Sequence, residues 1–192
     1  MTQLITDVLD YATLKKTKKA AQTNLDLNKE IESVLFDLKA QIADSGAIIQ
    51  SGQLPVVSAI PIKVNQLFLN LISNAIKFRK KEGDCLITIS AEEKSDHWQL
   101  AIQDKGIGIE QEHLGKIFEP FKKLHANTQY PGSGIGLASC LHIVKLHKGE
   151  IWVESALGEG TTFYFTLPKK KEIEPINKKI LPVAEEELLV NA

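Results

Sequence analysis

The chain has 192 residues, 43% hydrophobic and 24% charged, with a formal net charge of −1, enough for one globular domain with a real core plus extensions. Near-neutral charge gives no electrostatic case for nucleic acid. No apolar run approaches the roughly 20 residues of a membrane span and no signal-peptide pattern opens the chain, so a soluble, cytoplasmic segment without membrane contact is expected.

Residues 1–19, MTQLITDVLDYATLKKTKK, place Leu4, Ile5, Val8, Leu9 and Ala12 at three–four spacing and then turn basic. This reads as a helix with no capping signal ahead of it, an element that begins inside its first turn. TNLDL (23–27) is strand-like and precedes a helix, capped by Asn28, that runs to about Ala43. AIIQSG (47–52) and PVVSAI (55–60) are short strand candidates, and Pro61 then opens a long helix at a position that suits proline. CLITISAEE (85–93) and WQLAIQD (98–104) alternate as an antiparallel pair. After a glycine-rich stretch, a helix runs from about Ile135 to Leu146, and EIWVES with TTFYFTLP forms a last hairpin around Gly158 and Gly160. Beyond Pro168 the chain is charged and proline-broken, a linker or loose tail. Helices grouped among antiparallel strands indicate an α+β layered domain. Cys85 and Cys140 lack CxxC spacing and read as small residues of a reduced core.

The helix from Pro61 to Arg79 has an unusual wheel. Lys63, Gln66, Asn70, Ser73, Asn74 and Lys77 fall on one narrow stripe, while nearly everything else is apolar. A surface helix has the opposite proportion, so this one is sunk in a core and opens along one polar line. That line faces water or a ligand. Asparagine weakens a helix interior by some tenths of a kcal/mol, yet its side-chain oxygen is a neutral ligand for Mg²⁺, and lysine is a point charge for phosphate.

Three glycine clusters follow. In DKGIGI (104–109), Asp104 sits at a strand exit and Gly106 and Gly108 allow a close backbone turn, in a ligand wall or an ordinary tight loop. PGSGIGLAS (131–139) puts Gly132, Gly134 and Gly136 before a helix start, where free amides bind anions. It fits neither a Walker loop nor a Rossmann fingerprint. GEGTTF (158–163) makes a hairpin turn. Between the first two clusters, the irregular FEPFKKLHANTQY (118–130) has the character of a functional lid.

The order N-x-x-x-N-A-x-K-F (70–78), D-x-G-x-G (104–108), F-x-P-F (118–121), G-S-G-I-G-L (132–137) and G-x-G-T (158–161) resembles the ATP-binding domain of sensor histidine kinases. These belong to the Bergerat-fold group with gyrase, Hsp90-type chaperones and MutL. IFEPFKKLH and GEIWVESALGEGTTFYFTLP look closest to bacterial kinases of the hybrid and phytochrome-like kind. The resemblance implies a two-layer α+β sandwich, a mixed, mostly antiparallel sheet covered by helices, with ATP between helices and lid. It divides the chain into the end of a dimerisation-hairpin helix (1–22), the ATP-binding domain (23–168) and the tail (169–192). By the same resemblance Asn74 coordinates the Mg²⁺ that bridges the phosphates, with Asn70 assisting; Lys77 contacts phosphate and Phe78 packs near the nucleotide. Asp104 accepts the adenine amine, and Gly106 and Gly108 shape that wall. Thr161 or Thr162 holds a water near adenine. Phe118 and Phe121 anchor the lid, and Gly132, Ser133, Gly134, Gly136 and Leu137 form the phosphate end. Many relatives carry arginine after the second lid aromatic, where this chain has Lys122 and Lys123; Lys123 takes that role here without the bidentate fork.

The implied partners are the dimerisation hairpin that carries the phosphoacceptor histidine, a second copy of the parent kinase, and a response regulator. None of His97, His113, His125, His142 and His147 has an acceptor-box context, so the acceptor is expected outside this chain. Three other functions compete. A gyrase- or MutL-type ATP hydrolase places a glutamate where Asn70 stands, as a base for water. A serine kinase of the anti-sigma type uses a carboxylate near the same place. A degenerate docking module would not need the glycine clusters or Asn74.

Overall fold

The computed structural model describes residues 21–123 and 132–170. The helix read in residues 1–19, the middle of the lid segment and the tail beyond 170 lie outside the described residues. In chain order the elements are β1 (Thr23–Asp26), α1 (Leu27–Asp37), α2 (Lys39–Ser45), β2 (Ile48–Ser51), β3 (Val56–Ala59) and α3 (Pro61–Lys77). Then come β4 (Leu86–Glu93), β5 (His97–Asp104), α4 (Gln111–Leu114), α5 (Gly136–Leu146), β6 (Ile151–Ala156) and β7 (Gly160–Pro168). Five strands form the main sheet in the order β2-β4-β5-β7-β6, and β1 pairs with β3 apart from it. Within the main sheet β2 runs parallel to β4 and every other pair is antiparallel. The mixed, mostly antiparallel sheet is the one expected.

Period-two alternation assigns the faces. Ile87, Ile89, Leu100, Ile102, Phe163, Phe165 and Leu167 are buried on the helix side. From above, α3 inserts Val64, Leu67, Phe68, Leu71, Ile72, Ala75 and Ile76, and Phe68 meets Phe165 edge-on with ring centroids 5.8 Å apart. Each such large buried side chain contributes about 1.5–3 kcal/mol, so this seam holds the two layers together. On the opposite face Trp152 and Tyr164, cross-strand partners, stack at 5.3 Å. Cys85 and Cys140 are both free and buried, as expected of core residues.

Three local readings need correction. Asp26, not Asn28, caps α1, its carboxylate accepting from Asn28 N at 3.0 Å. Asn28 instead clasps Leu54, donating to its carbonyl at 2.7 Å and accepting from its N–H at 2.9 Å. The helix expected to reach Ala43 breaks at Leu38, and a second helix continues to Ser45 before left-handed Gly46 stops it. The sequence holds no glycine or proline at Leu38 to signal the break. Finally, α3 ends at Lys77, with Phe78 as its C-cap, rather than at Arg79.

Candidate functional site

A cleft of about 640 Å³ opens between α3, the end of β5, β7 and the start of α5. Its helix wall is the polar stripe: Gln66, Asn70, Ser73, Asn74 and Lys77 all line it. Lys63, one turn further back, does not. The apolar flanks of α3 are fixed by the core, so the polar line has no choice but to face the opening. Asn70 is held in place, its Nδ2 donating to Gly136 O at 3.4 Å and its side chain bonded to the Cys140 thiol. Burial pushes that thiol up to about 12, so it stays protonated. Lys77 lies over the Phe78 ring at 4.7 Å. Burial, and then the nearby charge of Lys123, lower its pKa. Two ammonium groups that repel one another at one end of a cleft would be relieved by an anion placed between them.

The other wall is built on the sheet. Asp104 ends β5 with 9% exposure, opposite Thr161 of β7. Its Oδ1 accepts from Gly106 N at 2.7 Å and Thr161 N at 3.2 Å. Burial outweighs those two bonds and raises the carboxyl to about 6. Both of these bonds go to Oδ1, and Asp104 lines the cleft, so the carboxyl keeps acceptor capacity beyond them. Around it Ile107, Ile109, Ile117 and Phe163 give the cleft an apolar end.

The glycines of the D-x-G-x-G loop make their close approaches to protein rather than to the cleft. A Cβ on Gly106 would stand 2.5 Å from the Phe78 carbonyl, and one on Gly108, at φ +71°, 2.0 Å from the Ala156 carbonyl. Gly106 is outside the lining and Gly108 within it. Ile107 N also donates to Phe78 O at 3.0 Å, so this loop is bolted to the end of α3. Of the two threonines, Thr161 lines the cleft and is buried, whereas Thr162 lies on the other side of β7.

Gly132, Ser133, Gly134, Gly136 and Leu137 line the opposite end with Lys122 and Lys123. α5 begins without a side-chain cap, leaving its first-turn amides open to an anion. The two feet of the lid segment are joined, because Phe121 N donates to Gly134 O at 3.0 Å. Phe118 packs edge-on against Phe163, with ring centroids 6.4 Å apart. Phe121, by contrast, is 60% exposed, with φ at +65°. Its backbone, not its ring, makes the attachment, and neither aromatic lines the cleft. The sequence reading also missed Gln41 of α2, Ser139 and Phe163 as lining residues. Strand alternation with Thr161 signals Phe163; nothing local signals Gln41, which lies on α2 beyond the break at Leu38.

Fold and cleft together define a class, an ATP-binding catalytic domain in which helices and the ends of two inner strands share a pocket. Residues 59–171 match the family described as histidine kinase-, DNA gyrase B- and HSP90-like ATPase. The chain is 45% identical over 168 residues to cyanobacterial phytochrome A of Nostoc sp. (strain PCC 7120), covering 88% of this chain and 22% of that protein. It is 36% identical over 173 residues to the adaptive-response sensory kinase SasA of Synechococcus sp. (strain JA-3-3Ab), covering 88% of this chain and 45% of that one. Among solved structures, the catalytic domain of histidine kinase ThkA matches with a TM-score of 0.67 at 28% identity, over 78% of this chain and 96% of that one. Full-length ShkA in complex with AMPPNP matches with a TM-score of 0.76 at 24% identity, over 90% of this chain and 36% of that one, a likeness of fold. The chain therefore belongs to the histidine kinase-, gyrase- and HSP90-like ATPase family, as a catalytic domain of the histidine-kinase kind. It spans only 22% of the length of the phytochrome.

Proposed function

We propose that this chain holds Mg²⁺-ATP and presents its γ-phosphate to a histidine on a dimerisation hairpin, the first step of a two-component signalling relay. The observation that supports this best is convergence: one cleft has a buried acceptor carboxylate at its apolar end and lysines, asparagines and an uncapped helix start at the other. Adenine would stack in the apolar end, its amine donating to Asp104 Oδ2, with Thr161 beside it. The triphosphate would lie along α3 towards Lys77, Lys123 and the amides of α5.

The donor set also fits a divalent cation. Asp104 is the only acidic side chain of the lining among the described residues, so no carboxylate cage exists for a free ion. Asn74, aided by Asn70, offers neutral oxygens that suit Mg²⁺ already carried by phosphates. When bound, the ion would neutralise charge on the phosphate oxygens. The chain's own residues do the rest. Lys77 and Lys123 draw the phosphates into line, α5 orients them, and Asn70 supplies no base to activate water, which disfavours the hydrolase alternative.

His97 opens β5, His113 sits in α4, and His142 and His147 belong to α5 and its C-cap, while His125 lies outside the described residues. None of the five has an acceptor-box sequence context, so we assign the acceptor to a hairpin outside this chain. The full protein is then a homodimer, with a response regulator downstream and the catalytic domain in the cytoplasm; among the described residues no helix is long and apolar enough to cross a membrane. The test mixes the chain with the hairpin of its parent protein and labelled ATP. Phosphohistidine on the hairpin is expected, and its absence with an intact, nucleotide-bound catalytic domain would refute the proposal.

A further inference from the structure

We infer that His147, which belongs to no motif of the cleft, is a positioning residue for the phosphate end, locking α5 against α3 so that both helices face the phosphates in one register. This rests on the Mg²⁺-ATP reading of the cleft. His147 follows the last residue of α5 and is 1% exposed. Its Nδ1 donates to Ile143 O at 2.8 Å, which leaves Nε2 as an acceptor, and Ile60 N donates to it at 2.9 Å. Ile60 is the N-cap of α3 and caps it with no side-chain bond. A neutral imidazole from the end of one helix thus ties down the start of the other.

The same pair is tied again further along. Asn70 of α3 bonds Gly136 O and Cys140 of α5. From Ile60 to Asn70 the helix advances about 15 Å, and from Gly136 to His147 about 16 Å. The two helices therefore run antiparallel, pinned at both ends of their shared seam. A slip of one turn, about 5.4 Å, would break both pins. Asn74 and Lys77 ride on α3 and the anion-binding amides on α5, whereas Asp104 and Thr161 belong to the sheet. Because α3 is also bolted to the base end through Phe78 O, the element the lock positions is α5, and its loss falls on phosphate.

That division sets the test. Mg²⁺-AMPPNP and adenosine are titrated calorimetrically into wild type, His147→Gln and His147→Leu. Glutamine Oε1 reaches about as far as Nε2 and can accept from Ile60; leucine cannot. The glutamine variant should bind both probes within about two-fold of wild type, and the leucine variant should lose about tenfold or more for Mg²⁺-AMPPNP while keeping adenosine within about two-fold. Undiminished Mg²⁺-AMPPNP binding by the leucine variant overturns the inference, as does an equal loss of both probes, which marks general loosening. Should the leucine variant fail to fold, His147→Asn, too short to reach Ile60, carries the same expectation. Imidazole ¹⁵N spectra of the wild type add a second readout: a neutral Nδ1–H tautomer supports the lock, and an Nε2–H tautomer overturns it. If wild type binds neither probe, the reading of the cleft falls and the inference with it, an outcome distinct from a failure confined to the variants.

Discussion

Asp104→Asn should make the nucleotide-free protein more stable while weakening its grip on adenine. Burial raises this carboxyl from 3.8 to about 6, which is equivalent to about 3 kcal/mol withheld from the fold when the group is ionised at neutral pH. The sign follows from proton counting. Between 3.8 and about 6 the folded chain holds a proton that the unfolded chain has lost, so stability from this group is greatest at low pH, falls as pH rises through that window and is flat above it. Asparagine keeps an oxygen for Gly106 N and Thr161 N and carries no charge to desolvate. Urea denaturation near pH 7.5 should therefore show a gain of about 1–3 kcal/mol for the variant, shrinking towards zero near pH 4. The amide's NH₂ would then face the adenine amine, donor against donor, and affinity for ATP should fall by about 1–3 kcal/mol. A variant less stable than wild type at neutral pH, or a stability difference that does not change with pH, would refute the argument that desolvation dominates at Asp104.

His147 should show the reverse pH dependence: burial lowers its pKa, so its contribution is complete above the unfolded value of about 6.5 and is lost as pH falls below it. Denaturation of His147→Gln across the same range should lack that acid-side loss. Asn74→Ala should cost roughly tenfold in affinity for Mg²⁺-ATP and little for ATP with the metal chelated, measured by calorimetry; equal losses with and without Mg²⁺ would sink its assignment to the metal. Gly108→Ala forces a Cβ to 2.0 Å from the Ala156 carbonyl at a positive φ, and thermal melts should show a loss of at least about 1–3 kcal/mol. Incubated with labelled ATP, the chain without a hairpin should stay unlabelled on histidine; robust self-labelling would show that one of its five histidines accepts phosphate after all.

Where the sequence was legible, a periodicity carried the information. The polar stripe of α3 was visible because a helix surrounded by core can place polar residues on only one line. The sheet was visible because β4, β5 and β7 alternate. Contacts between distant segments were not visible. The choice between Thr161 and Thr162 depends on the register that sets Asp104 against Thr161, and register across a sheet cannot be read from one strand. Phe121 shared a motif with Phe118, but only one of the two rings finds an aromatic partner, Phe163. Gly106 and Gly108 read as ligand-facing because close approach is what glycine permits; what approaches is the main chain of Phe78 and Ala156. Asn28 looked like a cap because its type favours caps, yet Asp26 was the residue with extended backbone dihedrals.

The packing of the D-x-G-x-G loop has a consequence for selective inhibitors. Around Asp104, Gly106 abuts the Phe78 carbonyl, Gly108 the Ala156 carbonyl and Gly160 the Asp104 carbonyl, so the loop that carries the base end is packed against main chain, while the side chains of Ile107, Ile109, Ile117 and Phe163 line the cleft in front of it. Peptide groups are alike in every protein that keeps this fold, and no side chain can be added at these three glycines without breaking the packing. At the far end the surface belongs to Gln66, Lys122, Lys123 and Ser133, whose side chains can change without disturbing the core. A compound that relies on Asp104 and this glycine-packed loop should discriminate poorly between such domains, and one extended past α3 toward the paired lysines should tell them apart.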